Sequence, residues 1–460
     1  MLAVLADTLW LDLETQARDV IASSPDLSEK QITDITTWLE RFHHGLTAIS
    51  REIETFMPWL GVLEEGKQAD LSAADEIARL MYSSQSGDEG TATPKTLFEI
   101  LDTWRTAHPD LPRMTGLWLE RLWNAEQKGA AQQDKMRQGL MDLAARADRI
   151  AYGMDFSFLY DPAVRLFSIG YNQSLGRMDD SHYDLLATEA RLASFFAIAK
   201  HDAPIEHWFA FNRPTTRLMG KPSILSWNGS IFEYLMPPLF LPSYRDTLLG
   251  ESELTAIDFQ REYARARNVP WGISESAFGV TDRQGTFQYR AFGVPGLGIR
   301  RGLTEDLVIA PYGTALALCG WPMAAVENLQ TMAQMGALTR YGFIEALDFT
   351  PKRIAPGKEF VPVTTFMAHH QGMVQVAIAN ALQGDVMVQR FLKEKSVMAM
   401  DLLLQEGVPW DAPLERGRAD EVWDHPADTQ PATELVPWVP SPNFAVPQVH
   451  VLGNGRMSSL

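Results

Sequence analysis

The first 57 residues show the spacing of hydrophobic side chains that helices require, and they predict two helices. In the second helix, apolar residues recur at alternating intervals of three and four: Ile32, Ile35, Leu39, Phe42, Leu46, Ile49, Ile53 and Phe56. This spacing is typical of a helix packed in a bundle or coiled coil. Ser28 and Gln31 have the spacing of a capping box at its start, and Pro58 is expected to end it.

Further helices are predicted in the next hundred residues. They cover 71–82, 94–104, 114–128 and 131–152, and a polar loop at 83–94 separates the first two. No candidate chemistry stands out among these residues. We therefore predict that residues 1–150 form a helical bundle or connector.

The pattern changes at Asp155. Residues 156–172 are aromatic and β-branched with a turn at Asp161-Pro162, which predicts a β-hairpin. Helical patterns then return in segments joined by loops: 181–200, 251–268, 311–318, 322–335, 364–382 and 388–406. Helical hairpins of this kind predict a mainly α fold. We expect an (α/α) barrel, in which the loops at one end of the helix ring form a cleft.

One stretch, Pro270–Leu303, stands apart from the other connecting segments. It carries Glu275 between two serines, then Tyr289 and Arg290, and then a series of glycines around Pro295. Because glycine and proline interrupt long helices and strands, we predict a loop held on a scaffold. Loops on scaffolds often carry functional side chains, so Glu275 is the first candidate for chemistry.

Other carboxylates are also candidates. Glu233 lies between two aromatic residues, where burial would raise the pKa of its carboxyl as a general acid requires. Glu345 and Asp348 lie in a polar and aromatic segment, 340–353, that is predicted to be a loop. Glu189 shares the core-facing side of a predicted helix, and we interpret it as a buried, ion-paired structural residue.

Composition and charge limit the classes of partner that the chain is expected to bind. The net charge of −18, from 58 acidic and 40 basic residues, disfavours nucleic acid or an anionic membrane surface as the main partner. The 13 Trp and 11 Tyr include aromatic faces that could stack on sugar rings, although most are expected in the core. One cysteine allows no disulfide within the chain, the N-terminus does not resemble a signal peptide, and no apolar run of about 18 residues predicts a membrane span.

The motifs of several other chemistries are missing from the sequence. It contains no P-loop, no G-x-S-x-G elbow and no Cys/His cluster with zinc spacing. The adjacent His369 and His370 would point about 100° apart on a helix, so we expect at least one to bond a polar ligand or a neighbouring loop. No metal and no cofactor is predicted. Paired carboxylates with aromatic platforms are instead typical of glycosidic bond chemistry.

Seven segments closely resemble the glycoamylase-like middle domain of cyclic β-1,2-glucan synthases, in the order of that family. They are YGMDFSFLYDPAVRLFSIGYN, SHYDLLATEARLASFFAIAK, FEYLMP, WGISESAF, QYRAFGVPGLGIRRGL, YGFIEALDFTP and FMAHHQGM. The resemblance covers about 152–410 and implies a glycoamylase-like barrel at 151–407 after the connector at 1–150. A proline-rich linker is expected at 408–447, and 448–460 resembles the start of a phosphorylase-like domain. The chain is therefore expected to be a fragment of such a synthase, with an incomplete barrel.

The resemblance also implies an activity. In this family a membrane glycosyltransferase domain polymerises β-1,2-glucan from UDP-glucose, and a phosphorylase-like domain trims the chain. The glycoamylase-like domain closes the chain into a ring by anomer-retaining transglycosylation on the cytoplasmic side of the bacterial inner membrane. The implied partners are β-1,2-glucan and the other synthase domains. Two alternatives stay open, an inverting β-1,2-glucan hydrolase and a non-catalytic glucan-binding or scaffolding module.

Retaining chemistry needs two carboxyl groups about 5 Å apart. We expect Glu275 and Glu345 to form this pair, with Glu233 as the next candidate, and leave their individual roles open. The candidates for sugar contacts are Trp271, Tyr289, Arg290, Tyr234, Tyr341, Asp348, His369, His370 and Gln371. For Arg290 the alternative is a salt bridge to a neighbouring acid that stiffens the loop.

Overall fold

The computed structural model describes residues 2–69, 71–85, 97–409, 452–453 and 458–459. The chain divides into two compact units, Met1–Met154 and Asp155–Leu460. Nearly all of the expected proline-rich linker, and most of the segment that resembles a phosphorylase-like domain, lie outside the described residues. Across those described residues, no helix has the length and hydropathy needed to cross a membrane.

The first unit is helical throughout its described residues. Its helices are α1 (Leu2–Ser23), α2 (Glu29–Phe56), α3 (Trp59–Gln68), α4 (Ser72–Gln85), α5 (Leu97–Ala107) and α6 (Arg113–Gly153). The predicted capping box is present, since the Ser28 side chain accepts from the Gln31 N–H and the Gln31 side chain accepts from the Ser28 N–H. A small core forms around Ile77, Leu122 and Trp118.

Helix α6 corrects one prediction, because it is a single helix of 41 residues where two were expected. The expected break fell near Gly129, which costs a helix some stability but does not end it. Gly129 is buried, and a Cβ there would lie 2.8 Å from the backbone oxygen of Phe56. The glycine therefore serves the close packing of α6 on the end of α2.

The second unit is mainly α, as predicted. Its helices are α7 (Thr188–Ala199), α8 (Glu206–Ala210), α9 (Ile231–Leu235), α10 (Leu248–Arg265), α11 (Pro311–Leu316), α12 (Pro322–Gln334), α13 (Ala368–Leu382), α14 (Val386–Leu392) and α15 (Lys395–Ala399). Every residue of α11 is buried, and α9, α12 and α13 pack against it. Helix α11 therefore forms the centre of this unit.

Short antiparallel strands connect these helices. They are β1 (Tyr160–Asp161), β2 (Leu166–Phe167), β3 (Tyr171–Asn172), β4 (Arg177–Met178), β5 (Thr215–Leu218), β6 (Lys221–Ile224), β7 (Ser276–Thr281), β8 (Phe287–Arg290), β9 (Val308–Ile309), β10 (Leu338–Thr339), β11 (Gly342–Phe343), β12 (Ala346–Asp348), β13 (Val361–Val363), β14 (Leu452–Gly453) and β15 (Ser458–Ser459). Strands β13, β12 and β9 form a three-stranded sheet in that order, and the others pair in hairpins. The predicted hairpin after Asp155 is present as β1–β2, although only two residues on each side pair.

Two predicted helices differ from the structure. The helix expected from residue 181 begins only at Thr188, because the Asp184 carboxylate accepts the N–H of Leu186 and forms a turn instead. The helix expected at 388–406 is broken into α14, α15 and a short 3₁₀ turn at Asp401–Leu404. The break lies at Glu394, whose backbone is extended.

Two segments that were predicted to be loops contain strands. Pro270–Leu303 holds the β7–β8 hairpin, in which Asp282 accepts the N–H groups of Gln284 and Thr286 and closes the turn. The segment 340–353 contains β12, which is fully buried in the three-stranded sheet. Residues 344–348 of this second segment are therefore more enclosed than a loop would make them.

The glycines that follow β8 allow two backbone segments to lie against each other. The N–H of Val294 donates to the oxygen of Gly229, and the N–H of Ser226 donates to the oxygen of Leu297, both at 3.0 Å. A Cβ on Gly293 would lie 1.7 Å from the backbone oxygen of Asn228. Residues 293–298 of the predicted loop therefore form a buried segment, the glycine brace, which joins the β7–β8 hairpin to the start of α9.

A Gly293→Ala substitution is expected to lower the free energy of unfolding of the second unit by about 3 kcal/mol or more, because the added methyl group must push two backbones apart. The measurement is chemical denaturation followed by far-UV circular dichroism. Gly372→Ala is the matched control, since nothing lies within 4 Å of a Cβ there and it lies inside helix α13. The control should gain about 0.5–1 kcal/mol, and equal stability of the two variants would contradict the brace.

Candidate active site

Glu275 lies on the short segment between Trp271 and β7. Its neighbours Ser274 and Ser276 are fully buried, whereas Glu275 itself is partly exposed, as expected for alternating positions in an extended segment. The Tyr312 hydroxyl of α11 donates to the backbone oxygen of Glu275 at 2.7 Å and lies 2.8 Å from the Ser274 hydroxyl. The backbone at Glu275 is thus fixed from the core, and its side chain remains accessible.

Glu345 lies just before β12 and is paired with His370 of α13. The His370 Nδ1 atom is 2.9 Å from one Glu345 oxygen and 3.1 Å from the other. Glu345 also accepts the N–H of Ala277 in β7, at 3.2 Å. The two paired residues are only 2% and 1% exposed. The prediction that one of the adjacent histidines bonds a neighbouring segment is confirmed, and the same contact encloses Glu345.

Tyr289 of β8 contacts this buried pair and is close enough to Glu275 for the charge of that carboxylate to act on its phenol. The Tyr289 hydroxyl lies 3.3 Å from His370 Nε2. Burial, followed by the charge of Glu275, raises the pKa of Tyr289, so the phenol stays protonated. The ring is 40% exposed. Tyr289 therefore borders any ligand that reaches Glu275.

Glu189 and His369 lie on the exposed side of the same cluster. Burial and the neighbouring His370 lower the pKa of His369, against the opposing charges of Glu345, Glu275 and Glu189. The charge of Glu189 also acts on Tyr289. The interpretation of Glu189 as a buried structural carboxylate is wrong, because it is exposed in the first turn of α7.

Glu233 has a different setting from the one predicted. It accepts hydrogen bonds from the Ser226 hydroxyl, from the N–H and hydroxyl of Ser230, and from the N–H of Asn228, all between 2.9 and 3.0 Å. Burial raises the pKa of Glu233, and these hydrogen bonds oppose the rise. The residue completes a capping box with Ser230 at the start of α9. Both oxygens of its carboxylate therefore accept hydrogen bonds that stabilise the fold. This setting argues against a catalytic role for Glu233.

Asp348 and Arg290 also have structural partners. Asp348 is fully buried and binds Arg353 through two contacts, at 2.6 and 3.0 Å, while accepting the N–H of Gly279 at 2.8 Å. Arg290 pairs with Asp306 at 3.3 Å, which is the salt bridge considered as the alternative for this residue. The buried position of Asp348 contradicts its prediction as a sugar contact.

The four remaining candidates divide by exposure. Trp271 is 7% exposed and Tyr234 is fully buried, so their rings belong to the core and cannot stack on a sugar. These two predictions are corrected. Gln371 donates to the backbone oxygen of Phe343 at 3.3 Å, and Tyr341 is 68% exposed. Both stay predictions as sugar contacts.

The second unit is similar in sequence to known proteins. Residues 181–396 match the family model described as "Putative glucoamylase". Over 281 residues the chain is 43% identical to the "Cyclic beta-(1,2)-glucan synthase NdvB" of Rhizobium meliloti (strain 1021). The family resemblance is confirmed. The match covers 61% of this chain and 10% of that synthase, so the chain spans about a tenth of the length of this relative.

Two solved structures have a distant likeness to the chain. One is described as a putative glucoamylase from Bacteroides caccae, with a TM-score of 0.43, 14% identity, and coverage of 75% of this chain and 86% of that chain. The other is a β-1,2-glucanase from Parabacteroides distasonis, with a TM-score of 0.41, 13% identity, and coverage of 75% and 53%. The predicted class, a mainly α fold of the glycoamylase-like barrel type, is confirmed by the helical second unit and the family match.

No group of three or more His, Cys, Asp or Glu side chains could hold a metal ion within the part of the chain that the structure describes. The cluster around Glu275 instead combines carboxylates, an imidazole pair and a phenol. Such groups move protons and stabilise charge in a reacting sugar.

Asp348→Asn is expected to reduce the free energy of unfolding by about 2 kcal/mol, because it removes one of the two carboxylates that pair with the partly buried Arg353 and leaves only Asp306. Chemical denaturation of the variant measures this change. Asp246→Asn, at an exposed position, is the matched control and should stay within about 0.5 kcal/mol of the parent chain. If Asp348→Asn instead kept full stability and lost affinity for glucan, the assignment of Asp348 to the scaffold would be wrong.

Proposed function

We propose that this chain carries the ring-closing step of cyclic β-1,2-glucan synthesis, an anomer-retaining transglycosylation of a linear β-1,2-glucan. The observation that carries the proposal is the setting of Glu275, whose backbone is fixed by the core while its carboxylate is accessible beside Tyr289. A carboxylate of this kind, acting with a second one, can break and remake a glycosidic bond. The 43% identity to a cyclic β-1,2-glucan synthase supports the choice of substrate.

We propose Glu189 as the second carboxylate, in place of Glu345. Both oxygens of Glu345 face His370 in the interior, so a sugar could reach them only by breaking that contact. Glu189 is exposed, and its charge acts on the same Tyr289 and His369 side chains as the charge of Glu275. These shared neighbours support the proposal that the two carboxylates act on the same substrate.

In the proposed reaction, one carboxylate attacks the anomeric carbon while the other, as the acid, protonates the departing glycosidic oxygen. This step leaves a glucosyl ester on the chain. The 2-hydroxyl at the non-reducing end of the same glucan then attacks the anomeric carbon, its proton passes to the second carboxylate, and the ester bond breaks. Ring closure rather than hydrolysis requires a held acceptor and little water. Tyr289 and His369, which border the carboxylates, are the proposed sugar contacts.

We also propose that the chain acts as one part of a larger synthase on the cytoplasmic side of a bacterial inner membrane. The similar synthase is much longer, since the match covers only 10% of it. Within such a protein, a membrane glycosyltransferase domain would supply the linear glucan. A phosphorylase-like domain would adjust its length before ring closure.

The direct test incubates the chain with linear β-1,2-glucan and looks by mass spectrometry for cyclic products, which are one water lighter than linear chains. Glu275→Gln and Glu189→Gln should each lower the cyclising rate by about a hundredfold or more. Glu262→Gln is the matched control, because this exposed acid pairs with Arg265 on the outer face of α10 and should leave the rate unchanged. Full cyclising activity of the Glu275→Gln variant would remove the proposal's main support.

The same experiment separates the alternatives. An inverting hydrolase would release shorter linear glucans, and NMR would show inversion at the anomeric centre of the first product. A non-catalytic binding module would bind the glucan without changing it, and neither Glu275→Gln nor Glu189→Gln would alter the products.

A further inference from the structure

Two pairs of exposed aromatic rings lie near each other in the second unit. In the first pair, the ring centroids of Tyr289 and His369 are 6.4 Å apart, and the charge of Glu275 acts on both side chains. In the second pair, the rings of Tyr341 and Phe366 meet edge to face, with centroids 6.0 Å apart. Phe366 is three residues before His369, so the Cα atoms of these two residues are at most about 11 Å apart. The second pair therefore lies beside the first.

The backbone that carries the second pair is fixed by hydrogen bonds. The N–H of Glu345 donates to the oxygen of Thr365, directly before Phe366, at 3.0 Å. The N–H of Tyr341 donates to the Thr339 hydroxyl at 3.1 Å, in the turn between β10 and β11. Because both rings start from anchored backbone, less conformational freedom is lost when they bind a ligand.

The second pair is directed to solvent and adds little to the core. Tyr341 is 68% exposed and Phe366 is 38% exposed. The guanidinium of Arg340 lies 4.8 Å from the centroid of the Tyr341 ring, which helps to hold that ring in place. An exposed apolar patch beside polar residues is typical of a ligand-binding surface.

We propose that Tyr341 and Phe366 form a distal subsite for β-1,2-glucan, which holds glucose units away from the bond that reacts at Glu275. This inference rests on the proposed function, which supplies the substrate. A glucan that passes Tyr289 and His369 beside the reacting carboxylates can continue over the second pair of rings. The apolar faces of its glucose units then stack on these rings, while its hydroxyl groups stay in water.

A distal subsite favours ring closure over hydrolysis. Water competes with the 2-hydroxyl at the non-reducing end of the glucan for the glucosyl ester, and the hydroxyl attacks first only when it is held nearby. A glucan that is bound at two places has fewer conformations, so its two ends meet more often. Hydrolysis needs no such second contact.

The binding test uses the chain with Glu275→Gln, a long linear β-1,2-glucan and isothermal titration calorimetry. In this background, Tyr341→Ala and Phe366→Ala should each raise Kd about threefold to tenfold, because each removes one stacking ring. Tyr341→Phe should keep the affinity of the Glu275→Gln chain, because it keeps the ring and loses only the hydroxyl. An equal loss in Tyr341→Phe and Tyr341→Ala would contradict stacking as the mode of binding.

Trp321→Ala is the matched control for the binding test. Trp321 is also 38% exposed, and Arg261 lies over its ring as an arginine lies over Tyr341. Trp321 follows the C-terminal end of α11, whereas the candidate site contacts Tyr312 near the other end of that helix. The control should bind the glucan with the affinity of the Glu275→Gln chain.

An activity test measures how the reaction divides between its two outcomes. In the chain that retains Glu275, Tyr341→Ala and Phe366→Ala should lower the ratio of cyclic to newly released linear products about threefold to tenfold. The total rate of bond cleavage should change less than this ratio, because the reacting carboxylates are untouched. Mass spectrometry gives the ratio, and reducing-end counts give the released linear products.

The two tests separate this inference from the proposed function. Weaker binding in Tyr341→Ala and Phe366→Ala, together with a parent chain that forms no cyclic product, would overturn only the proposed function. Cyclic products from the parent chain, with Kd and product ratio unchanged in both variants, would overturn the distal subsite. A parent chain that does not bind the glucan would overturn both.

Discussion

The buried contact between Glu345 and His370 is the interaction on which the candidate site depends. It ties α13 to the sheet segment before β12 and, through the N–H of Ala277, to β7. Two buried ionisable groups are costly to desolvate unless each satisfies the other, so this contact strongly restricts how the three elements can be arranged. Because β7 follows directly from Glu275, the same contact sets where that carboxylate emerges from the core.

Two other buried carboxylates also hold neighbouring segments of the second unit together. Glu233 holds the turn before α9 by closing a capping box, and Asp348 holds β12 to the hairpin through Arg353 and Gly279. The glycine brace joins these two regions by direct backbone contact. Glu233, Glu345 and Asp348 thus maintain the scaffold, whereas Glu275 is partly exposed and Glu189 is exposed.

Much of the helical structure could be predicted from the sequence, but the burial of individual side chains could not. The long helices and the Ser28 capping box follow from spacing and local hydrogen-bonding rules, and Glu275 stood out because it lies among residues that break regular structure. Glu345 and Asp348 were expected on a loop because a strand of three residues has no periodicity to detect. For Glu233 a signal was present, since Ser230 and Glu233 have the same capping-box spacing as Ser28 and Gln31. The burial of Trp271 and Tyr234 depends on tertiary packing, which local patterns do not contain.

We infer that Glu275 and Glu189 face the substrate, while Glu233, Glu345 and Asp348 stabilise the fold. The most direct test is a crystal structure of the Glu275→Gln variant with a bound linear β-1,2-glucan. We expect a sugar ring in contact with residue 275, Glu189 and Tyr289, with the Glu345–His370 contact unchanged. A glucan bound against Glu233 or Asp348, or one that displaces His370 from Glu345, would contradict it.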